Sequence, residues 1–179
     1  MLFPYFPVPM KIMRGLKEFV DVKPGEYYSN GIAVTCMEGS HPNGCSVYKI
    51  SDKGKTMVFL TDYEPDGLVR GVEFGPLDTD IIEFCRGADL VIADAQYVPE
   101  QYCPFTSEEL QEKIKEISEA YANENKGEKF EDLEFTEQRH ILMMKLPMTK
   151  IGWGHGTPQY GADIAHAAGV PIVAYTHHD

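Results

Sequence analysis

Three short apolar runs in this chain each lead into residues of the kind that bind metals. Residues 32–37 run towards Ser40-His41-Pro42. Residues 55–60 run into Thr61-Asp62-Tyr63-Glu64, and residues 170–175 lead into Thr176-His177-His178-Asp179. Short runs with β-branched and aromatic residues, followed by turn residues, read as strands. The last run is apolar enough to read as a buried strand. Side chains at the end of a buried strand are held rigidly, which a metal site needs. Three strand ends thus offer His, Asp and His, the ligand set of a hydrolytic zinc, manganese or iron site.

The rest of the chain fits an α/β domain. Residues 11–14, 17–22 and 46–50 add short strands in the first half. Asp52-Lys53-Gly54-Lys55 reads as a hairpin turn, with Gly54 free to take positive φ. Residues 77–86 read as a helix ended by Gly87, and 88–95 as a buried strand. Residues 157–168 read as a helix with Pro158 in its first turn and Gly169 after it. Strands first and β-α alternation later imply a mixed sheet layered with helices. The segment 107–150 reads as a helical insertion, with helices over about 107–123, capped by Thr106 or Ser107, and 134–146.

Bulk properties narrow the function. At 179 residues this is one domain or most of one, and 43% hydrophobic content suffices for a core. A net charge of -12 argues against a general nucleic-acid-binding surface. Much of that acidity lies in 107–137, where the first helix reads as a solvated face. The proline-broken start lacks the features of a signal peptide, and no run reaches membrane-spanning length. Four scattered cysteines without a C-x-x-C read as reduced thiols, which points to the cytoplasm.

Each motif has two readings when taken alone. Asp62 is either a carboxylate bridging two cations or the polar turn after a strand. His41, in Glu38-Gly39-Ser40-His41-Pro42-Asn43-Gly44, is a metal ligand or a surface loop histidine. Gly152-Trp153-Gly154-His155-Gly156-Thr157 precedes a helix. It either approaches an anion, with His155 as donor or general acid, or is a glycine-rich turn with Thr157 as cap and Trp153 in the core. His177, His178 and Asp179 pair imidazoles with an orienting carboxylate, or form a polar fray. His140 and His166 fall inside helical patterns and read as structural or exposed.

Taken in order, the motifs resemble the metallo-β-lactamase-fold hydrolases. The series runs Pro4-Tyr5-Phe6-Pro7-Val8, His41-Pro42, Thr61-Asp62-Tyr63-Glu64, then Ala88-Asp89-Leu90-Val91-Ile92-Ala93-Asp94-Ala95-Gln96-Tyr97. Gly152-Trp153-Gly154-His155 and His177-His178-Asp179 complete it. The similarity is to the branch shared by ribonuclease Z and cyclic phosphodiesterases. It implies a metal-dependent hydrolase acting on a small-molecule or nucleotide phosphodiester. It implies two divalent metals, zinc first and manganese or iron as alternatives. His41 would complete the first metal site, Asp62 would bridge both, and His177 would bind the second. His155 would lie beside the scissile phosphate, with Glu64, Asp94, His178 and Asp179 in support.

Two departures stand out. The family signature His-x-His-x-Asp-His is absent. The chain therefore looks like the C-terminal half of an αβ/βα sandwich, binding metal weakly or not at all by itself. A half sandwich leaves one apolar sheet face uncovered, so self-association is expected. Gly156 replaces the serine usual in relatives. Two other readings remain: a non-catalytic binding or regulatory module, and a half-enzyme completed by a separate N-terminal chain.

Overall fold

The computed structural model describes residues 23–177. The strands expected at 11–14 and 17–22, the Pro4 to Val8 motif, and the supporting residues His178 and Asp179 lie outside them. Strands β1 (Gly25–Ser29), β2 (Ile32–Gly39), β3 (Cys45–Asp52) and β4 (Lys55–Leu60) form an antiparallel meander. The β3–β4 turn has positive φ at both central residues, Lys53 at 48° and Gly54 at 74°. That twist matches the twist of the strands it joins.

The second half runs the other way of building a sheet. Helices α1 (Asp66–Arg70) and α2 (Pro76–Cys85) lead to β5 (Leu90–Asp94), which pairs with β4 in parallel. Next come α3 (Pro99–Tyr102), α4 (Ser107–Glu124), α5 (Phe135–Lys145) and α6 (Pro158–Ala168). They lead to β6 (Val173–Thr176), parallel to β5. Parallel neighbours need such long crossovers, whereas a meander needs only turns. The six strands lie in chain order, β1-β2-β3-β4-β5-β6, in one mixed sheet.

Alternation along the strands decides where the core sits. Val47, Val58, Leu60, Val91 and Ala93 are buried against Ile81 and Cys85 of α2 and Ile164, Ala165 and Ala168 of α6. The alternate residues Tyr48, Phe59 and Ile92 lie in register on the other face, and Phe59 is 38% exposed. Thr157 caps α6 by accepting from the Tyr160 amide at 3.3 Å, and Gly169 ends it at φ 72°. A second core joins Leu110 of α4 and Leu142 of α5 to Val69, Tyr102, Phe130, Leu146 and Ile151. The helical segment thus packs on α1 and on the chain leading to α6. On α4 only Leu110 is fully buried, so its acidic face is solvated as expected.

Two sequence expectations change. The run 170–175 is not a buried strand: Ile172 is 58% and Tyr175 40% exposed. Among the described residues β6 has one neighbour, so its apolar character reflects an edge position rather than a central one. The short β1, α1 and α3 had no periodic signal and were not expected. The four cysteines are free thiols, and His140 and His166 are exposed. Among the described residues, no helix is long and apolar enough to cross a membrane.

A buried carboxylate fixes the turn that follows β4. Asp78, in the first turn of α2, accepts from the amides of Asp66 at 3.0 Å, Gly67 at 2.6 Å and Gly75 at 2.9 Å. It also accepts from the hydroxyls of Tyr63 at 2.5 Å and Tyr160 at 2.6 Å. Burial and the neighbouring carboxylate keep both phenols protonated, so they remain donors. Replacing Asp78 with Ala orphans these donors. We expect a loss of about 3–5 kcal/mol in urea denaturation, the range for breaking a buried charged network. Asp78→Asn, which keeps one acceptor, should lose less.

Candidate metal centre

Strand direction brings the candidate residues together. β2 and β4 are each antiparallel to β3, and β4, β5 and β6 are mutually parallel. All four therefore end at the same edge of the sheet. His41 follows β2, Asp62 follows β4, Asp94 ends β5, and His177 follows β6. His155 arrives at that edge on the loop before α6.

Their ligand atoms lie close together. His41, Asp62 and His155 each offer a ligand atom within 4.8 Å of the other two, and so do Asp94, His155 and His177. His177 Nε2 lies 3.8 Å from Asp62 Oδ1. The His155 ring stands edge-on to His41 at 6.0 Å between centroids and 5.1 Å from His177. Asp62 and His177 both adopt positive φ, 53° and 57°. A non-glycine residue in that region carries a cost of about 1–3 kcal/mol, borne only where surroundings enforce it.

Asp94 holds the first of these through the Asp62 amide. Its side chain is 2% exposed. Oδ2 accepts from the Asp62 amide at 3.0 Å and lies 2.8 Å from His155 Nδ1. Oδ1 accepts from the amides of Gln96 at 3.2 Å and Gly156 at 3.1 Å. The carboxylate is saturated by these donors, which suits a positioning role better than a ligand role.

Glu64 does for the loop what Asp94 does for the strand ends. It is fully buried and accepts from the amides of Gly152 at 2.7 Å and Gly154 at 3.3 Å, and from the Tyr102 hydroxyl at 2.9 Å. Arg139 of α5, only 3% exposed, pairs with Glu64 at 3.5 Å and donates to the Ser40 hydroxyl at 2.9 Å. One guanidinium from the helical segment thus ties the loops of His41, Asp62 and His155. Neither Arg139 nor Asp78 was singled out from the sequence. Arg139 sits in an ordinary helical pattern with no local signal. Asp78 follows Gly75-Pro76 at a capping position, which points to a helix start but not to its five donors.

The donor set fits a divalent cation. His177 Nδ1 is buried, lies 3.3 Å from Asp94 Oδ2, and makes no hydrogen bond. The Gly154 backbone is pressed against His41, where an added Cβ would stand 2.4 Å from Nε2. His41 Nδ1 accepts from the Asn43 amide at 3.3 Å, a long bond that costs little to give up. Burial lowers the His41 pKa below its ordinary 6.5, which favours the neutral, metal-binding ring. Trp153 is not in the core: it is 55% exposed, while Thr157 does cap the helix.

No family model and no curated protein matches this chain. Solved structures do. The metallo-beta-lactamase fold protein YhfI from Bacillus subtilis is 17% identical, with a TM-score of 0.47 over 89% of this chain and 42% of its own. Human tRNase Z, short form (ELAC1), is 14% identical, with a TM-score of 0.42 over 85% of this chain and 38% of its own. The chain spans less than half the length of either.

Burial pushes the Glu64 carboxyl above its usual 4.5, against the opposing pull of Arg139 and its amide donors. A carboxyl raised in the folded state contributes stability below its unfolded pKa, and that contribution fades as pH rises through the folded value. Glu64→Gln carries no ionisable group. The stability of wild type relative to Glu64→Gln should therefore fall between pH 4.5 and neutrality. Urea midpoints of the two proteins across that range measure it; a difference that grows with pH would refute the assignment.

Proposed function

We propose that this chain is part of a metal-dependent hydrolase of the metallo-β-lactamase superfamily that acts on a phosphodiester. What carries the reading is the convergence at one sheet edge of His41, Asp62, His155 and His177 around the buried Asp94. In this reading His41, Asp62 and His177 bind divalent metal, zinc first. A bound divalent cation supplies Lewis acidity towards a phosphoryl oxygen. His155 keeps the orientation set by the 2.8 Å contact of its Nδ1 with Asp94. Its Nε2 is the atom that delivers a proton to the leaving oxygen. Asp94 and Glu64 hold the strand end and the loop, so the ring does not have to be ordered at the moment of reaction.

A hydrolytic zinc usually has three protein ligands and one open position. Three ligand residues fall short of two such metals, so we assign the remainder to a segment bearing His-x-His-x-Asp-His, in the same polypeptide or a separate chain. The 179-residue chain with added zinc should hydrolyse bis(p-nitrophenyl) phosphate at near the background rate. A fragment carrying the histidine motif should restore a chelator-sensitive rate. His155→Ala in the restored enzyme should then cost about 10²–10⁴ in rate, the usual general-acid contribution. A robust chelator-sensitive rate from the chain alone would sink the ligand assignment.

The sheet face turned away from α2 and α6 supports self-association. Tyr48, Phe59, Ile92 and Ala174 lie side by side across β3 to β6, and Phe59 and Ala174 are exposed. Contiguous apolar surface of this kind marks an interaction site. Sedimentation at tens of micromolar should show a dimer or larger species; a well-folded monomer would count against the proposal.

A further inference from the structure

We propose that Trp153, Lys150 and Tyr97 form a stacking subsite for a planar aromatic ring joined to a phosphate. Its position beside the scissile phosphate rests on the phosphodiester reading above; its test does not.

The first observation is that Trp153 is held outward. It is 55% exposed between the buried Gly152 and Gly154. Both flanking amides donate to Glu64, at 2.7 and 3.3 Å. The backbone is also packed inward on both sides. A Cβ at Gly152 would stand 2.8 Å from Met143 Cβ, and one at Gly154 would stand 2.3 Å from His41 Cδ2. The loop therefore cannot roll the indole into the core without losing both bonds to a buried carboxylate. Single exposed apolar residues are ordinary on a protein surface. One displayed on a fixed loop, two residues from His155, is better placed to meet a ligand than a flexible one.

The second observation is the cation beside it. Lys150 Nζ lies 4.3 Å from the Trp153 ring centre and 6.0 Å from that of Tyr97. The Tyr97 ring in turn meets the His155 ring edge-on at 6.3 Å. Lys150 is anchored, since its amide donates to the Tyr102 carbonyl at 2.7 Å. Indole, ammonium and phenol thus form a continuous path that ends at the candidate centre. The ammonium suits phosphate, and the open indole surface suits a flat ring. A ligand that uses both carries an aromatic ring a few bonds from its phosphate, as a nucleotide does. An aliphatic phosphoester gains only the ammonium.

Trp153 is the only tryptophan, so its emission reports on this position alone. The test titrates the full chain with AMP, ribose 5-phosphate and adenosine, once with EDTA and once with zinc. AMP should quench the emission saturably. By calorimetry it should bind about 5- to 150-fold more tightly than ribose 5-phosphate, the equivalent of 1–3 kcal/mol per stacked base. Trp153→Ala should abolish that difference, and Lys150→Met should abolish the preference for AMP over adenosine. Trp153 is exposed and Lys150 half-buried, and circular dichroism checks that each variant is folded. The proposal is overturned if AMP gives no saturable quenching at millimolar concentration, if it binds no better than ribose 5-phosphate, or if Trp153→Ala leaves its affinity unchanged. Quenching that persists in EDTA, from a chain in which the histidine-motif fragment restores no chelator-sensitive rate, would leave the subsite standing and the metal reading refuted. Zinc binding without quenching would do the reverse.

Discussion

The carboxylate of Asp94 is the interaction on which the candidate centre depends. It stands at the end of a central strand, where it is too buried to be hydrated, so its lone pairs must be met by the protein. They are met by the amides of Asp62, Gln96 and Gly156 and by the ring of His155. The donors come from three parts of the chain: the end of β4, the residues just after β5, and the adjacent pair His155 and Gly156 before α6. Satisfying one buried charge therefore fixes a strand end, a loop and an imidazole relative to each other. It also accounts for the left-handed backbone at Asp62, whose amide is turned into the carboxylate.

Two further buried carboxylates extend the same scheme outward. Asp78 holds the turn after β4 from the helix side, through three amides and two phenols. Glu64 holds the glycine-rich loop, and its charge is met by Arg139 from α5. A buried ion pair is weak evidence of stability, because desolvation offsets much of its attraction. What it does here is positional: Arg139 reaches both Ser40 and Glu64, so the helical segment is tied to the loops of the candidate centre. The segment that reads as an insertion is therefore part of the site's scaffold.

Much of this was legible in the chain. The hairpin at Asp52-Lys53-Gly54-Lys55, the helix with Pro158 in its first turn and the strand carrying Asp94 all follow from local signals, and local signals suffice where turn chemistry and periodicity agree. The exposure of β6 was not legible. An apolar run has the same appearance at the edge of a sheet as at its centre, and only the pairing decides. The outward direction of Trp153, which reads as core in a glycine-rich turn, was not legible either, because it is set by the packing of its flanking glycines on Met143 and His41. His155 was legible as a histidine beside an anion-favouring helix start, but its partner Asp94 lies 61 residues away.

The sequence by itself determined which residues stand at element ends: His41, Asp62, Asp94 and His177 follow apolar runs, and chain order alone shows that. It also determined the two ways of connecting strands, turns early and helices late, since turn residues and helical periodicity are local. Only the tertiary structure decided that these ends share one edge, because that depends on the relative direction of strands paired across long connections. It alone decided which carboxylates are buried and saturated and which residue is turned outward. Burial is a property of what packs on a residue, and nothing within a few positions of Asp94, Arg139 or Trp153 specifies it.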